Sequence, residues 1–442
     1  MPSLLRQLIP RPVLGAYHRV LAVLANVWYG RPSERMIVIG VTGTTGKSSV
    51  IELLAVIFKA AGMRVGIASS IRFQAGERSW MNATKLTMVG RFQLQRWLRR
   101  MVDAGCQYAI IETTSLGIAQ YRHAGIHYDT VLLTNLYREH LDAHGGYATY
   151  RRAKRRLFTH LARSRPKVIA GQTIPRRAII NLDSEYAVEF AGIAVEEQIG
   201  FTVAHRVAAG GGRTVSGEIL RDGRRVGLRV NRSEIWLNLP GEHNAVNALA
   251  AYCVARTHRL AAADIQRALA QVAGIPGRIE TIDAGQPFTM IVDYAFEPGA
   301  MEQLYRVAGT LPHGRVIQVL GTTGGGRDAA RGAVLGAMAA RFADIVIATD
   351  EDPYDDDPAV LVERVVRGAT EAGKIPGKNL FVQLDRRLAI RQAVALAQGN
   401  DVVLITGKGS EQVMALAGGR KISWDDRSIA REEIRRKLLV PG

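Results

Sequence analysis

The sequence predicts two consecutive α/β domains: a P-loop, doubly wound parallel-sheet domain carrying a small antiparallel insert, then a second, Rossmann-like α/β domain. Short apolar, mostly β-branched runs alternate with helically spaced stretches after residue 36, the pattern of buried parallel strands covered by helices. The alternation halts at Gly274-Ile-Pro-Gly-Arg278, a cluster of turn residues, and then restarts. At 442 residues the chain is also too long for one ordinary domain. These observations predict an N-terminal segment (residues 1–35), a central domain (36–275, insert at about 200–238) and a C-terminal domain (276–442).

In the first segment, Val13 to Gly30 is the most apolar stretch, but His18, Arg19 and Asn26 interrupt it too soon for a membrane span. Leu14, Tyr17, Leu21, Leu24 and Trp28 fall on one helical face. With Arg6, Arg11 and Arg19 nearby, that helix either packs on the body of the protein or lies on an anionic membrane surface. Ile37 to Val41 reads as a buried strand, and Val50, Leu53, Leu54, Ile57 and Phe58 give the following stretch a helical apolar face. Tyr108–Glu112, Thr130–Thr134, Val168–Ala170 and Ala178–Asn181 are further strands. Alternating runs with Gly and Arg-Asp-Gly turns make the insert antiparallel. Gly241 to Leu260 is helical. Beyond the boundary, Thr289–Asp293, Val316–Leu320, Ile345–Ala348 and Val402–Ile405 are strands separated by helices.

The turn after the first strand, Gly43-Thr44-Thr45-Gly46-Lys47-Ser48-Ser49, carries the clearest chemistry. A glycine-rich turn between strand and helix aims backbone N–H groups and the helix dipole at an anion. Lys47 adds a positive charge, and Ser48 stands where a hydroxyl holds Mg²⁺. The usual G-x-x-x-x-G-K-[ST] spacing is not met, because Val41 occupies the first glycine position and Gly40 precedes it.

A net charge of +18 invites a nucleic-acid reading, and Arg151 to Arg156 is the densest basic run. The arginines are nonetheless scattered, with no aromatic-interleaved strip, so a basic surface around an anionic substrate is expected and no nucleic acid. Cys106 and Cys253 are far apart and form no metal pattern; they read as buried thiols in the reducing cytoplasm.

Several strand-end motifs recur in one order: Thr42–Ser48, Glu112-Thr-Thr-Ser115, Thr134–Asp142, Tyr150–Phe158 and Asn181-Leu-Asp183. Leu239–Asn244, Gly277–Glu280, Val292–Ala295, Gly324–Asp328 and Gly407–Glu411 continue it. In this register the chain, from about residue 36 to 430, resembles the Mur ligase family, with its MurE-type members nearest. The resemblance implies ATP, Mg²⁺ and an acyl-phosphate route to an amide bond. It implies that Lys47 and the loop cradle the phosphates, that Ser48 binds one Mg²⁺, and that Glu112 and His140 bind a second. Lys154 is implied to react with CO₂ to a carbamate that helps hold that metal, which requires a depressed pKa. Asn244, Arg278 and Asp293 are implied to face the nucleotide, Arg278 as a phosphate clamp and Asp293 at the ribose. Domain closure would shield the acyl phosphate from water. Arg331, Asp352, Tyr354, Gly407 and Glu411 match positions that hold the incoming amino acid.

The sequence departs from the family in places. Where the diaminopimelate-type pattern is Asp-Asn-Pro-Arg, it has Glu351-Asp352-Pro353-Tyr354, so the arginine for a second carboxylate is missing. A diamino acid with one carboxylate, lysine or ornithine, fits that charge balance better. Phe296-Glu297 replaces His-Thr, and Ser410 replaces His. Only about 35 residues precede the first strand, too few for the UDP-binding domain of MurE-type enzymes. The expected partners are an amino acid and an anionic, muropeptide-like carboxylate acceptor. This opens three alternatives: UDP bound elsewhere, a partner protein supplying the site, or an acceptor that is not UDP-linked, such as a lipid-linked or otherwise anionic one. A folylpolyglutamate-synthase-like ligase and a catalytically inactive nucleotide-binding scaffold are the competing functions.

Overall fold

The computed structural model describes residues 11–137, 145–207, 212–326 and 330–439. The chain divides into two compact units. The first runs to Asn238 and takes in Glu242–Val272; the second comprises Leu239–Gly241 and the chain from Ala273 onward.

The first unit contains β1 (Ile37–Thr42), β2 (Val65–Ala68), β3 (Arg72–Ala75), β4 (Arg78–Met81), β5 (Tyr108–Glu112) and β6 (Thr130–Leu133). It continues with β7 (Lys167–Ile169), β8 (Gln172–Ile174), β9 (Arg177–Asn181), β10 (Glu197–Thr202), β11 (Arg213–Asp222), β12 (Arg225–Val230) and β13 (Ser233–Leu237). Its helices are α1 (Arg11–Trp28), α2 (Lys47–Ala60), α3 (Arg91–Asp103), α4 (Ser115–Ala119), α5 (Tyr147–Arg163), α6 (Ala187–Ala191), α7 (Glu242–Thr257) and α8 (Ala262–Ala270). The strands form one sheet in the order β13-β12-β11-β10-β9-β6-β1-β5-β2-β3-β4, with β7 and β8 a separate hairpin. The seven strands from β11 to β2 in that order run parallel, so helices must cover both faces, and the central strands are buried throughout. Because β1 lies between β5 and β6, the sheet order reverses at its carboxyl end, where a crevice opens in doubly wound sheets.

Three details differ from the sequence expectation. The antiparallel β11–β13 meander is continuous with the main sheet, because β11 pairs parallel with β10 before pairing antiparallel with β12. Val168 lies in the β7–β8 hairpin, outside the sheet. The N-terminal helix forms, but its buried face is His18, Ala22 and Ala25, while Tyr17, Leu24 and Trp28 are exposed. Small residues decide this. Gly15 lies against the Tyr121 ring and the Ala22 carbonyl approaches Gly125, a spacing larger side chains would prevent.

The second unit holds β14 (Glu280–Ile282), β15 (Thr289–Asp293), β16 (Val316–Leu320), β17 (Ile345–Ala348), β18 (Leu380–Val382) and β19 (Val402–Thr406) in the order β14-β15-β19-β16-β17-β18. All but β14 run parallel. A short hairpin, β20 (Val413–Ala415) and β21 (Lys421–Ser423), follows. Helices α9 (Pro298–Ala308), α10 (Ala330–Phe342), α11 (Pro358–Glu371), α12 (Arg386–Leu396) and α13 (Asp426–Leu439) complete it. One apolar cluster includes residues of α9, α10 and α11, the other residues of α12 and α13, so the sheet is doubly covered as the alternation required.

The first unit holds buried neutral histidines. The His258 ring packs against Phe58 and Tyr108, and burial pushes its pKa down to about 3. Burial also holds His123 well below the usual range. Below pH 6.5 the unfolded chain takes up protons that these folded rings refuse, so their neutral state is fully stabilising above that pH and the stability is lost as pH falls. For His258 alone the loss at pH 5 is about 2 kcal/mol. Thermal melts should show a lower melting temperature at pH 5 than at pH 7, with a smaller drop in His258→Gln.

Candidate active site

The carboxyl ends of β1, β5 and β6 deliver Thr42, Glu112 and the Thr134-Asn135 pair to one place, and α2 begins there. The loop between β1 and α2 is fixed from several sides. Thr44 N and Thr45 N donate to Asn135 Oδ1 (3.1 and 2.9 Å), and Thr134 Oγ1 donates to the Thr45 carbonyl (2.7 Å). Thr44 Oγ1 meets the Tyr150 hydroxyl at 2.9 Å. Gly43 has φ 152°, and a Cβ there would stand 1.9 Å from Thr134 Oγ1. Gly46, at φ 78°, precedes the first turn of α2, with the Asn247 amide directly beside it. These constraints leave the helix N-terminus open for an anion without side-chain bulk in the way. Gly43→Ala should therefore weaken ADP binding about tenfold or more, measured by calorimetric titration, because backbone strain and displaced Thr134 both distort the cradle.

Around this loop the polar side chains converge. Lys47 Nζ rests on the Thr44 carbonyl at 2.7 Å. Ser48 Oγ lies 3.1 and 3.2 Å from the two Glu112 carboxylate oxygens and 2.7 Å from Ser70 Oγ, and Ser70 N donates to Glu112 at 2.8 Å. Ser49 is buried in the first turn of α2. Lys154, on α5, is 1% exposed; its Nζ donates to the Gly43 carbonyl at 2.6 Å and sits over the Tyr150 ring. Asn244 is buried on α7 and accepts from Asn247 Nδ2 at 3.3 Å. The sequence thus indicated Lys47, Ser48, Glu112 and Lys154, which the fold assembles on one loop. His140 lies outside the described residues. Ser70, Thr134, Asn135 and Asn247, to which the sequence assigns no role, also meet this loop or Glu112. Thr134 and Asn135 open the Thr134–Asp142 motif, whereas Ser70 carries no sequence signal.

The hydroxyl and carboxylate of Ser48 and Glu112 are hard oxygen donors at hydrogen-bond separation, a donor set that fits Mg²⁺. Among the described residues no three His, Cys, Asp or Glu side chains converge on a metal site. Mg²⁺ ordinarily completes its shell with water and substrate phosphate, so two protein oxygens suffice for the fit. Lys154 as an ammonium offers a cation no lone pair; a neutral amine would offer one, and a carbamate would add anionic oxygen donors.

In the second unit the carboxyl ends of β15, β19, β16 and β17 lie along one edge. Asp293 is buried, its two oxygens accepting from Ile279 N (2.6 Å) and Ala295 N (2.7 Å). Burial pushes its pKa up despite nearby Arg278. The Arg278 guanidinium stacks over the Tyr294 ring and donates to the Gly277 carbonyl. Arg331 lies over Phe296. Gly407 follows β19, its N–H donating to the Asp293 carbonyl. The fully buried Lys408 binds both Asp352 (2.9 Å) and Glu411 (3.1 Å), so these two acids meet on one ammonium. Glu351 is buried beside them and accepts from Thr323 Oγ1. Tyr354 adopts a left-handed conformation, its ring against Gly325. Asp350 follows β17, and burial pushes it up to about 6.

Comparison with known proteins places this geometry. The Mur ligase middle domain matches residues 41–255 and the Mur ligase, glutamate ligase domain matches residues 277–409. The UDP-N-acetylmuramyl-tripeptide synthetase of Roseiflexus sp. (strain RS-1) is 39% identical over 424 residues, covering 94% of this chain and 81% of the relative. The UDP-N-acetylmuramoyl-L-alanyl-D-glutamate–2,6-diaminopimelate ligase of Geobacillus kaustophilus (strain HTA426) is 32% identical, covering 97% of this chain and 85% of that one. Among solved structures, E. coli FolC in complex with DHPP and ADP has a TM-score of 0.63 at 19% identity, covering 90% of this chain and 95% of that chain; the likeness is one of fold. A structure of a UDP-N-acetylmuramoyl-L-alanyl-D-glutamate–2,6-diaminopimelate ligase has a TM-score of 0.59 at 24% identity, covering 92% and 80%. With both domain families matched in order and relatives this similar over nearly the whole chain, the protein belongs to the Mur ligase family.

Proposed function

We propose that this chain joins an amino acid, lysine or ornithine, to the carboxylate of an anionic, muropeptide-like acceptor in peptidoglycan precursor synthesis, using ATP in the cytoplasm. Membership of the family makes it an ATP-dependent amide ligase; the acceptor and amino acid are the proposal. The observation that carries the reading is the convergence of Lys47, Ser48 and Glu112 on the loop at the reversal point of the first sheet. The loop amides and Lys47 hold the triphosphate, and phosphoryl transfer is mostly positioning and charge neutralisation. An acceptor carboxylate oxygen attacks the γ-phosphorus and ADP leaves. The amine of the amino acid then attacks the acyl carbon, the C–O bond to phosphate breaks, and the amine loses a proton. Ser48 and Glu112 would hold Mg²⁺, which supplies charge neutralisation when bound; His140 and a carbamate of Lys154 join that set in this reading. Asn244, Arg278 and Asp293 are assigned to the nucleotide.

In the second unit, Arg331 is assigned to the amino acid's carboxylate and the Asp352–Glu411 pair to its distal ammonium. Two carboxylates, Asp352 and Glu411, stand against the single ammonium of Lys408, and the buried Glu351 precedes Asp352 in the chain, so this reading gives the distal ammonium an acidic neighbourhood. Tyr354 in place of arginine leaves no clamp there for a second carboxylate.

The test is incubation with ATP, Mg²⁺, lysine, ornithine, diaminopimelate and glutamate, with UDP-linked, lipid-linked and free muropeptides and folates as acceptors, read by mass. The expected product is a muropeptide heavier by one lysine or ornithine residue. A diaminopimelate increment overturns the amino-acid assignment. A glutamylated folate supports the folylpolyglutamate-like reading that the FolC fold raises. ATP binding without any turnover makes the chain a scaffold.

A further inference from the structure

Helix α1 exposes Val13, Tyr17, Val20, Val23, Leu24, Val27 and Trp28, each at least 47% accessible and Trp28 at 80%. At 100° per residue these positions fill about two-fifths of the helix circumference as one unbroken arc. Arg19 borders the arc, and the opposite side is packed on the unit through His18, Ala22 and Ala25. A helix apolar on both faces is normally covered on both. No helix among the described residues is long and apolar enough to cross a bilayer, so this one would lie on a surface rather than span it.

Charge identifies the occupant. Among the described side chains up to residue 35 are Arg19, Arg31 and Arg35 against Glu34 alone, and Glu34 is paired with Arg165. Helix α3, packed against α1, adds Arg91, Arg96, Arg99 and Arg100 against Asp103. A two-fold pairing of α1 with a second copy would set this basic border against itself. Trp28 and Tyr17 are side chains that favour the headgroup level of a bilayer. We infer that α1 docks the first unit on an anionic membrane surface, its valines, Leu24 and Trp28 entering the acyl boundary and the arginines contacting lipid phosphates.

The experiment is vesicle flotation of the full chain without ATP or substrates, so its outcome does not depend on the ligase reading. Vesicles of phosphatidylcholine with about one-third phosphatidylglycerol should float about tenfold more protein than phosphatidylcholine alone, and high salt should reduce the difference. Val20→Glu with Leu24→Glu should reduce flotation about tenfold with unchanged melting temperature, since both side chains face solvent. Arg19→Glu should reduce it severalfold. Trp28 emission should shift to the blue with anionic vesicles, a change missing in Trp28→Phe. No flotation with anionic vesicles, equal flotation by the double variant, or a dimer in sedimentation that the double variant dissolves would overturn the proposal.

Discussion

Lys47→Ala should lower ligation by about a thousandfold while leaving the melting temperature within about 2 °C of the parent. Lys47 Nζ donates to the Thr44 carbonyl, and the loop itself is held by Asn135, Thr134 and Tyr150. Removing the ammonium therefore leaves the loop standing while deleting the charge that, in the proposed function, meets the phosphates as they separate. Lys47→Arg should recover little, because a planar fork cannot occupy the space of a compact ammonium against the loop. Phosphate release coupled to product formation is the readout. A loss of less than tenfold would mean that the triphosphate is gripped elsewhere.

Arg386→Met should destabilise the second unit by about 3–5 kcal/mol, lowering its melting transition on the order of 10 °C. Arg386 and Asp426 are both fully buried and joined by two hydrogen bonds of 2.9 and 2.7 Å. Arg386 also donates to the Thr406 and Asp350 carbonyls, and Trp424 Nε1 donates to Asp426. Without the guanidinium, the Asp426 carboxylate is buried opposite no cation, and most of the loss comes from that orphaned charge. The double substitution Arg386→Met with Asp426→Leu should recover much of the stability, because it removes both desolvation costs. Activity should fall more than stability in both variants, since Thr406 and Asp350 lead directly into Gly407 and the Glu351–Asp352 acids. Differential scanning calorimetry and amino-acid KM separate the two effects.

Much of the first sheet and its phosphate loop is legible in the sequence because the determinants are local. A β-branched run such as Ile37–Val41 can only be buried on both faces, and glycines between it and a helical stripe leave few conformations for the turn. Gly40, one residue before the usual first glycine position, is like Gly43 and Gly46 a position whose neighbours exclude a side chain, so the strand-turn-helix conformation forms despite the altered spacing. Tertiary pairings were not legible. Nothing local shows that Lys408 joins Asp352 to Glu411, or that Asp293 satisfies two backbone N–H groups. Ser70 reaches Glu112 only because β2 lies beside β5. The N-terminal helix misled for a related reason. Its large apolar residues suggested the packed face, but close approach by Gly15 and Ala22 won, and the large side chains were left outside.

The most direct test of the central claim uses an acceptor whose carboxylate carries ¹⁸O, with ATP and the accepted amino acid. Attack of that carboxylate on the γ-phosphorus, followed by amine capture at carbon, transfers one labelled oxygen into each inorganic phosphate released. Mass analysis should therefore find one ¹⁸O per phosphate and none in the adenine nucleotide. Label appearing in AMP, or phosphate released without label as the amide forms, would contradict the account.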